Sequence, residues 1–306
     1  MYHSPEGTLI NSAENIRYIS SADGLREAMM KGIILEGMTA LCEASHDLVV
    51  DLPCGKGVIP RSEGAVGISD GSTRDIALLS RVGKPVCFRV TGVSTDGSGK
   101  VCASLSRRMA QEDCLERYIS GLRPGDVIDA SVTHLEQFGC FVDIGCGLPS
   151  MIPIDAISVS RIAHPSDRFS VGDMIRAVVK SVDGRRVCLT HRELLGTWEE
   201  NASGFSAGET VPGIVRSVEE YGIFVELTPN LAGLAELKSG IAPGQRVSVF
   251  IKAVIPEKMK MKLVIVENCP GTAAPQAPEY FFSGSHIDSW IYTPPCCNKI
   301  IRTDFA

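Results

Sequence analysis

Two stretches of this chain carry matching residues in the same order at the same spacing, and that repetition limits the fold more than any other feature. They are RPGDVIDASVTHLEQFGCFVDIG from Arg123 and SAGETVPGIVRSVEEYGIFVELT from Ser206. Gly125 precedes Val132 as Gly208 precedes Val215, Val132 precedes Phe138 as Val215 precedes Tyr221, and Phe138 precedes Phe141 as Tyr221 precedes Phe224. Each stretch continues through an apolar segment (SMIPIDAIS, AGLAELKSG), a second glycine-led run (VGDMIRAVVKSV, PGQRVSVFIKAV) and a basic closing run (GRRVCLTHRE, KMKMKLVIVE). A unit of about 65 to 75 residues is long for a solenoid repeat and suits a small closed barrel. A third, weaker copy precedes both: LCEASHDLVVDLPCGKGVIP sets LVVDL against CFVDI and GVIP against SMIP, then runs through RVGKPVCFRVTGV to GKVCASLSRR.

Local pattern agrees with tandem barrels. The alternation in IRAVVKSV and VSVFIKAV, rich in Val and Ile, predicts half-buried strands. Gly and Asp separate them, as turns require. SRRMAQEDCLERYISGL has helical composition and ends at Gly121, while Thr197 and Glu200 are placed for a capping box. The expected division is an N-terminal segment 1–28, a degenerate barrel 29–108, a helical linker 109–121, a barrel 122–193, a helical linker 194–204, a barrel 205–267 and an aromatic tail 268–306. That tail opens on the Pro/Ala-rich linker PGTAAPQAP and is aromatic enough to fold back on a neighbouring module.

Composition narrows the function classes. No apolar run approaches the roughly 20 residues that span a bilayer, and the polar start MYHSPEGTLINSAENIRY is no signal peptide, so a cytoplasmic protein with no membrane partner is expected. The 11 cysteines include no CxxC pair. Cys87, Cys102, Cys140 and Cys188 fall in apolar runs, as small buried hydrophobes do. Cys296 and Cys297, even with Cys269 or His286, match no zinc spacing, so no metal and no cofactor are expected. The net charge of −6 argues against a bulk electrostatic binder of nucleic acid.

The rings supply a different means of binding. Alternation puts Phe141 and Asp143 on one face, Val142 and Ile144 on the other, and repeats this with Phe224 and Glu226 against Val225 and Leu227. A ring sharing a face with a carboxylate is expected near solvent, since a core would not accept the charge. Phe138 and Tyr221, each before a glycine, would stand beside those rings as two-ring platforms. Such platforms suit single-stranded nucleic acid, because every base has a π-face. Arg185 and Arg186, or Lys258, Lys260 and Lys262, would supply phosphate contacts. The competing account is that the rings cap the barrel ends or pack on the linker helices.

These residues resemble the S1 RNA-binding domain, a five-stranded OB-fold module. The second unit carries Gly125, Asp126, Val127, Phe138, Gly139, Phe141, Val142 and Asp143 of its pattern; the third carries Gly208, Glu209, Val211, Tyr221, Gly222, Phe224, Val225 and Glu226. The whole chain, including TWEENASGFSAGETVPGIV and the aromatic tail, is similar to the bacterial 30S ribosomal protein S1 family in its Gram-positive anaerobe form. The resemblance implies a mainly β protein of three tandem five-stranded OB-fold barrels joined by short helices. It also implies Asp183 as a site residue, from its place before the basic strand. Pro153 and Glu236 stand where the family often has a binding-face His, and the third unit has no counterpart of Asp183 near Pro256. In the first unit His46 and Val49 replace both rings, so it is expected to have lost the platform.

No catalytic motif competes. There is no P-loop, GxSxG or HExxH, and GISDGSTRDIALLS lacks the lysine of a phosphate loop. His134 reads as an exposed strand residue, His164 as a loop residue and His191 as the start of a linker. The barrels fill nearly the whole chain. The sequence therefore points to a protein that is not an enzyme and that binds single-stranded RNA, mRNA foremost, in or near translation, with the small ribosomal subunit as a further partner. The alternative is a protein-binding scaffold that docks on the ribosome or an RNA-decay complex.

Overall fold

A computed structural model describes residues 3–95, 97, 99–272 and 278–305. Three closed five-stranded barrels follow one another along the chain, as the repeats require. The first comprises β1 (Ile34–Cys42), β2 (Leu48–Leu52), β3 (Gly55–Ile59), β4 (Pro85–Thr95) and β5 (Val101–Ser106), in the order β1-β2-β3-β5-β4. The second comprises β6 (Val127–Glu136), β7 (Gly139–Asp143), β8 (Pro149–Pro153), β9 (Met174–Asp183) and β10 (Arg186–Thr190). The third comprises β11 (Thr210–Glu219), β12 (Gly222–Thr228), β13 (Leu231–Ala235), β14 (Gln245–Ile255) and β15 (Lys260–Thr272). In each barrel the third strand pairs in parallel with the fifth: β3 with β5, β8 with β10, β13 with β15.

Alternation builds the interiors. On β14, Val247, Val249 and Ile251 point in and are fully buried, while Phe250 and Lys252 point out. The same period corrects two of the cysteine expectations. Cys87 and Cys140 are buried, but Cys102 is exposed and Cys188 half-buried, because their strand neighbours Val101, Ala103, Val187 and Leu189 take the inward places. Cys296 is exposed and Cys297 half-buried, and no cluster of three or more His, Cys, Asp or Glu side chains fit for a metal occurs among the described residues.

The chain divides into two compact units, residues 1–122 with 143–149 and residues 123–142 with 150–306. In the first, α1 (Ala13–Ile19) and α2 (Ala22–Lys31) begin at Ser12 and Ser21, whose hydroxyls accept the N–H groups of Asn15 and Gly24. Tyr18, Ile19, Leu25 and Ala28 of these helices lie in one core with Leu35, Val50 and Phe88 of the first barrel. A short α3 (Ile76–Leu79) precedes β4, and α4 (Arg107–Arg117) follows β5. In the second unit, α5 (Trp198–Ala202) starts on the reciprocal capping box of Thr197 and Glu200 that the sequence signals.

The tail folds back as its aromatics suggest. A hairpin of β16 (Ser289–Ile291) and β17 (Arg302–Asp304) brings Trp290, Tyr292 and Phe305 into a core with Val215, Val225 and Leu263. The Tyr292 hydroxyl donates to the Asn230 carbonyl. Of the PGTAAPQAP linker, residues 273–277 lie outside the described residues, and β15 extends to Thr272. No helix among the described residues is long and apolar enough to cross a membrane.

Candidate nucleic-acid interface

The interface starts from two glycines. A Cβ on Gly139 would lie 2.6 Å from the Ile152 carbonyl oxygen, and one on Gly222 would lie 2.7 Å from that of Ala235. Only glycine lets β7 and β12 begin so close to the neighbouring strand. Gly222 also has φ 152°, which side chains with a Cβ rarely adopt. The residue before each glycine is turned outward beside the strand. Phe138 is 57% exposed and Tyr221 69% exposed.

Each outer ring meets an inner ring edge to face. Phe138 and Phe141 have centroids 5.9 Å apart at 89°, and Tyr221 and Phe224 have centroids 6.1 Å apart at 88°. Phe141 and Phe224 are half-buried, while their flanking residues Cys140, Val142, Ile223 and Val225 fill the barrel interiors. The structure thus builds the same ring pair twice, with the outer ring more than half exposed in each.

The carboxylates that alternation puts on the rings' face are not open to solvent, contrary to expectation. Asp143 and Glu226 are each only 4% exposed. Asp143 accepts the backbone N–H groups of Glu6 at 2.7 Å, Gly145 at 2.8 Å and Gly147 at 3.0 Å. Burial, then the Glu6 charge, pushes its pKa up to about 6. Glu226 accepts from Arg168 and, through both oxygens, from Arg216 at 2.8 and 3.0 Å. Both carboxylates do lie on the outer face, but neighbouring chain covers them and fills their lone pairs. A carboxylate with satisfied partners tolerates burial.

Strand register shows which basic residues share a row with the rings. In the third barrel Phe224 pairs with Leu234, Leu234 with Lys262, and Lys262 with Ala253. In the second, Met151 pairs with Cys188 and Cys188 with Ser181, so Cys188 takes the place of Lys262. Arg186 and Lys260 sit two residues earlier on the fifth strands, on the same face but away from the outer ring, since those strands run antiparallel to β7 and β12. Lys258 and Arg185 lie in the preceding turns. Arg185, Arg186, Lys258, Lys260, Lys262 and Asp183 are all exposed, and Asp183 pairs with Arg186 across the hairpin.

His134, read from the sequence only as an exposed strand residue, joins the face. The His134 ring lies 6.4 Å from that of Phe141 at 33°, held by a 2.7 Å contact of Nε2 with Glu136. Its counterpart in register is Ser217, the Cα partner of Phe224. Strict alternation would put His134 inward, two residues past the buried Val132; the burial pattern of β6 breaks at this point and turns the ring outward, as the register shift between Val215 and Ser217 does at the matching place in β11. His164 caps a single helical turn, accepting the Ser166 N–H. His191 does not simply open a linker: it is buried, with Nδ1 3.0 Å from the Ile157 carbonyl and Nε2 3.3 Å from the Tyr280 hydroxyl. Burial pulls its pKa down to about 4, as suits a neutral packing residue.

In the first barrel Val49 occupies the inner-ring place and is 6% exposed. It pairs with Leu41 and with Val58, both exposed, and Val58 pairs with Ser104. His46 stands where the outer ring would be, with φ 66°. No ring pair forms on this face among the described residues.

Comparison with known proteins finds relatives for most of the chain. Residues 122–192 match the family model of the S1 RNA binding domain. Over 280 residues, 86% of this chain and 69% of the relative, the chain is 26% identical to small ribosomal subunit protein bS1 of Staphylococcus aureus (strain COL). It is 27% identical over the same shares to that of Staphylococcus haemolyticus (strain JCSC1435). A solved multidomain protein with nucleic acid binding domains from Streptococcus pneumoniae aligns with 76% of this chain and 73% of its own at 14% identity, with a TM-score of 0.26 that is too low to add to the case. The second barrel therefore matches the S1 RNA binding domain family, and most of the chain is similar to bacterial small ribosomal subunit protein bS1.

Proposed function

We propose that this protein binds single-stranded RNA, with mRNA as its ligand, by stacking bases on the ring platforms of the second and third barrels. It acts in or near translation, in the cytoplasm, with the small ribosomal subunit as a partner, and as a binding protein rather than an enzyme. The observation that carries the reading is the repeated platform: Phe138 with Phe141 and Tyr221 with Phe224, at nearly equal distances and angles and with the outer ring open to solvent. In the second barrel His134 adds a third ring. Stacking is worth roughly 1–3 kcal/mol per base and needs no basic protein, which answers the net charge of −6. Two modest sites on one chain reinforce each other through effective concentration. The bS1 relatives, named as small-subunit proteins, support the placement in translation.

The test is a double substitution, Phe141→Ala with Phe224→Ala. Affinity for an unstructured oligoribonucleotide should fall at least about a hundredfold. The melting temperature should stay within about 3 °C, because neither ring is fully buried. Unchanged affinity would remove the platforms from the site, and a much larger thermal loss would assign the rings to the core. A scaffold role draws on one observation, the exposed Leu41 and Val58 that replace a platform on the first barrel. On that reading the same double variant would leave association with the ribosome intact.

A further inference from the structure

The fourth strand of every barrel carries an irregularity at the same place. Register shifts between Val90 and Gly92 opposite Leu105 and Ser104, between Val179 and Ser181 opposite Leu189 and Cys188, and between Ile251 and Ala253 opposite Leu263 and Lys262. At this place one residue of the fourth strand is therefore extra: Thr91, Lys180 and Lys252 in turn. A bulge of this kind puts two consecutive residues of one strand on the same face, opposite one residue of its partner. The burial patterns show it. Lys180 and Ser181 are both exposed after the buried Val178 and Val179, and Lys252 and the half-buried Ala253 follow the buried Ile251. In both barrels the lysine emerges beside the row that begins at the inner ring.

Lys180 has no hydrogen-bond or ion-pair partner among the described residues. Lys252 has one, Glu236 at 3.4 Å, in a pair exposed on both sides. An exposed pair of that sort is worth about 0–1 kcal/mol and yields to a phosphate. From the inner ring the row crosses three inter-strand steps to the fourth strand, roughly 14 Å along the curved surface at about 4.8 Å per step. A strand of RNA stacked on the rings and lying across the sheet would bring its backbone over the bulge.

Resting on the RNA-binding reading above, we propose that Lys180 and Lys252 are the phosphate contacts that the two platforms share. The basic residues at and after the hairpin turns are placed less well: Lys262 is replaced by Cys188 in the second barrel, Arg185 and Lys258 lie off the row, and the matched Arg186 and Lys260 lie on its side away from the outer ring. The first barrel, which lacks rings, also lacks this cation, since Thr91 takes its place.

The test uses the full chain and a short fluorescent oligouridylate, with anisotropy measured across a salt series. Each lysine that neutralises a phosphate on a single strand contributes about 0.7 to the slope of log affinity against log salt. Lys180→Gln with Lys252→Gln should lower that slope by about 1.4 and weaken binding about tenfold at low salt. Lys180→Arg with Lys252→Arg should restore both. The lysines are exposed, so melting temperature should not move. An unchanged slope in the Gln pair, with the parent chain binding and Phe141→Ala weakening it, would overturn the lysine assignment alone. A parent chain that does not bind the oligouridylate, or that ignores Phe141→Ala and Phe224→Ala, would overturn the RNA reading and the lysine assignment with it.

Discussion

The first and third barrels have the same strand order, the same parallel closure and the same bulge, yet present different chemistry on the same row. Where the third offers Ser217, Phe224, Leu234 and Lys262, the first offers Leu41, Val49, Val58 and Ser104. His46 replaces Tyr221, and Thr91 replaces Lys252. The backbone geometry therefore does not create the interface by itself. It creates places, and the side chains at those places decide what chemistry each barrel presents.

The largest effect that separates the two barrels is the loss of at least about a hundredfold in affinity expected of the paired Phe141 and Phe224 substitutions. A second contrast lies between the two compact units, in their response to pH. In the first unit Glu36 is raised to about 7 and Asp143 to about 6, in both cases chiefly by burial. A folded carboxyl with a raised pKa binds more protons than the unfolded chain, so this unit should lose stability as pH rises from about 4 to about 7, on the order of 4 kcal/mol. Glu6, held low by Arg107 and Arg81 against its burial, titrates below that window. In the second unit His191 is lowered to about 4, so its contribution is complete above about 6.5 and is lost as pH falls toward about 4. Hydrogen exchange corrected for intrinsic rates should thus show β1 amides loosening and β10 amides tightening as pH rises. Glu36→Gln should flatten the first trend and leave the second.

At the inner-ring position the contrast is between stability and binding. Val49→Ala removes two buried carbons and should cost about 1–2 kcal/mol in chemical denaturation, with no change in RNA affinity. An affinity loss there would give the first barrel a share in binding and break the comparison. The smallest effect should come from His134→Ala. With the third barrel silenced by Tyr221→Ala and Phe224→Ala, binding should weaken about fivefold, and His134→Phe should restore it if the ring contributes by stacking.

Much of this was legible in the sequence because the repeats name themselves. Glycine, valine and aromatic residues at matched spacing predicted barrels, and the same spacing predicted which rings would meet. The capping box at Thr197 and Glu200 and the returning aromatic tail were also readable, since each depends on neighbours in sequence or on bulk hydrophobicity. What escaped depended on contacts between distant segments. Alternation correctly put Asp143 and Glu226 on the outer face, but could not show that the Glu6 backbone and the Arg168 and Arg216 guanidiniums cover them. Cys102 and Cys188 sit in apolar runs, yet strand parity turns them outward. Lys180 and Lys252 look like ordinary members of alternating strands, because a bulge is visible only when the partner strand is in place. The helices that begin at Ser12 and Ser21 were not read from the sequence, because Tyr18 and Leu25 are buried in a core with barrel residues such as Val50 and Phe88 and not along a long local periodicity.

Trp290, Tyr292 and Phe305 join a core whose barrel members, Val178 to Ile265, all precede them in the chain. A ribosome making this protein will have emitted every strand of the third barrel before the segments that seal it exist. Until Phe305 has left the exit tunnel, the core that holds Val215, Val225 and Leu263 lacks three of its aromatic members, whereas every member of the first barrel's core, Tyr18 to Leu105, is available far earlier.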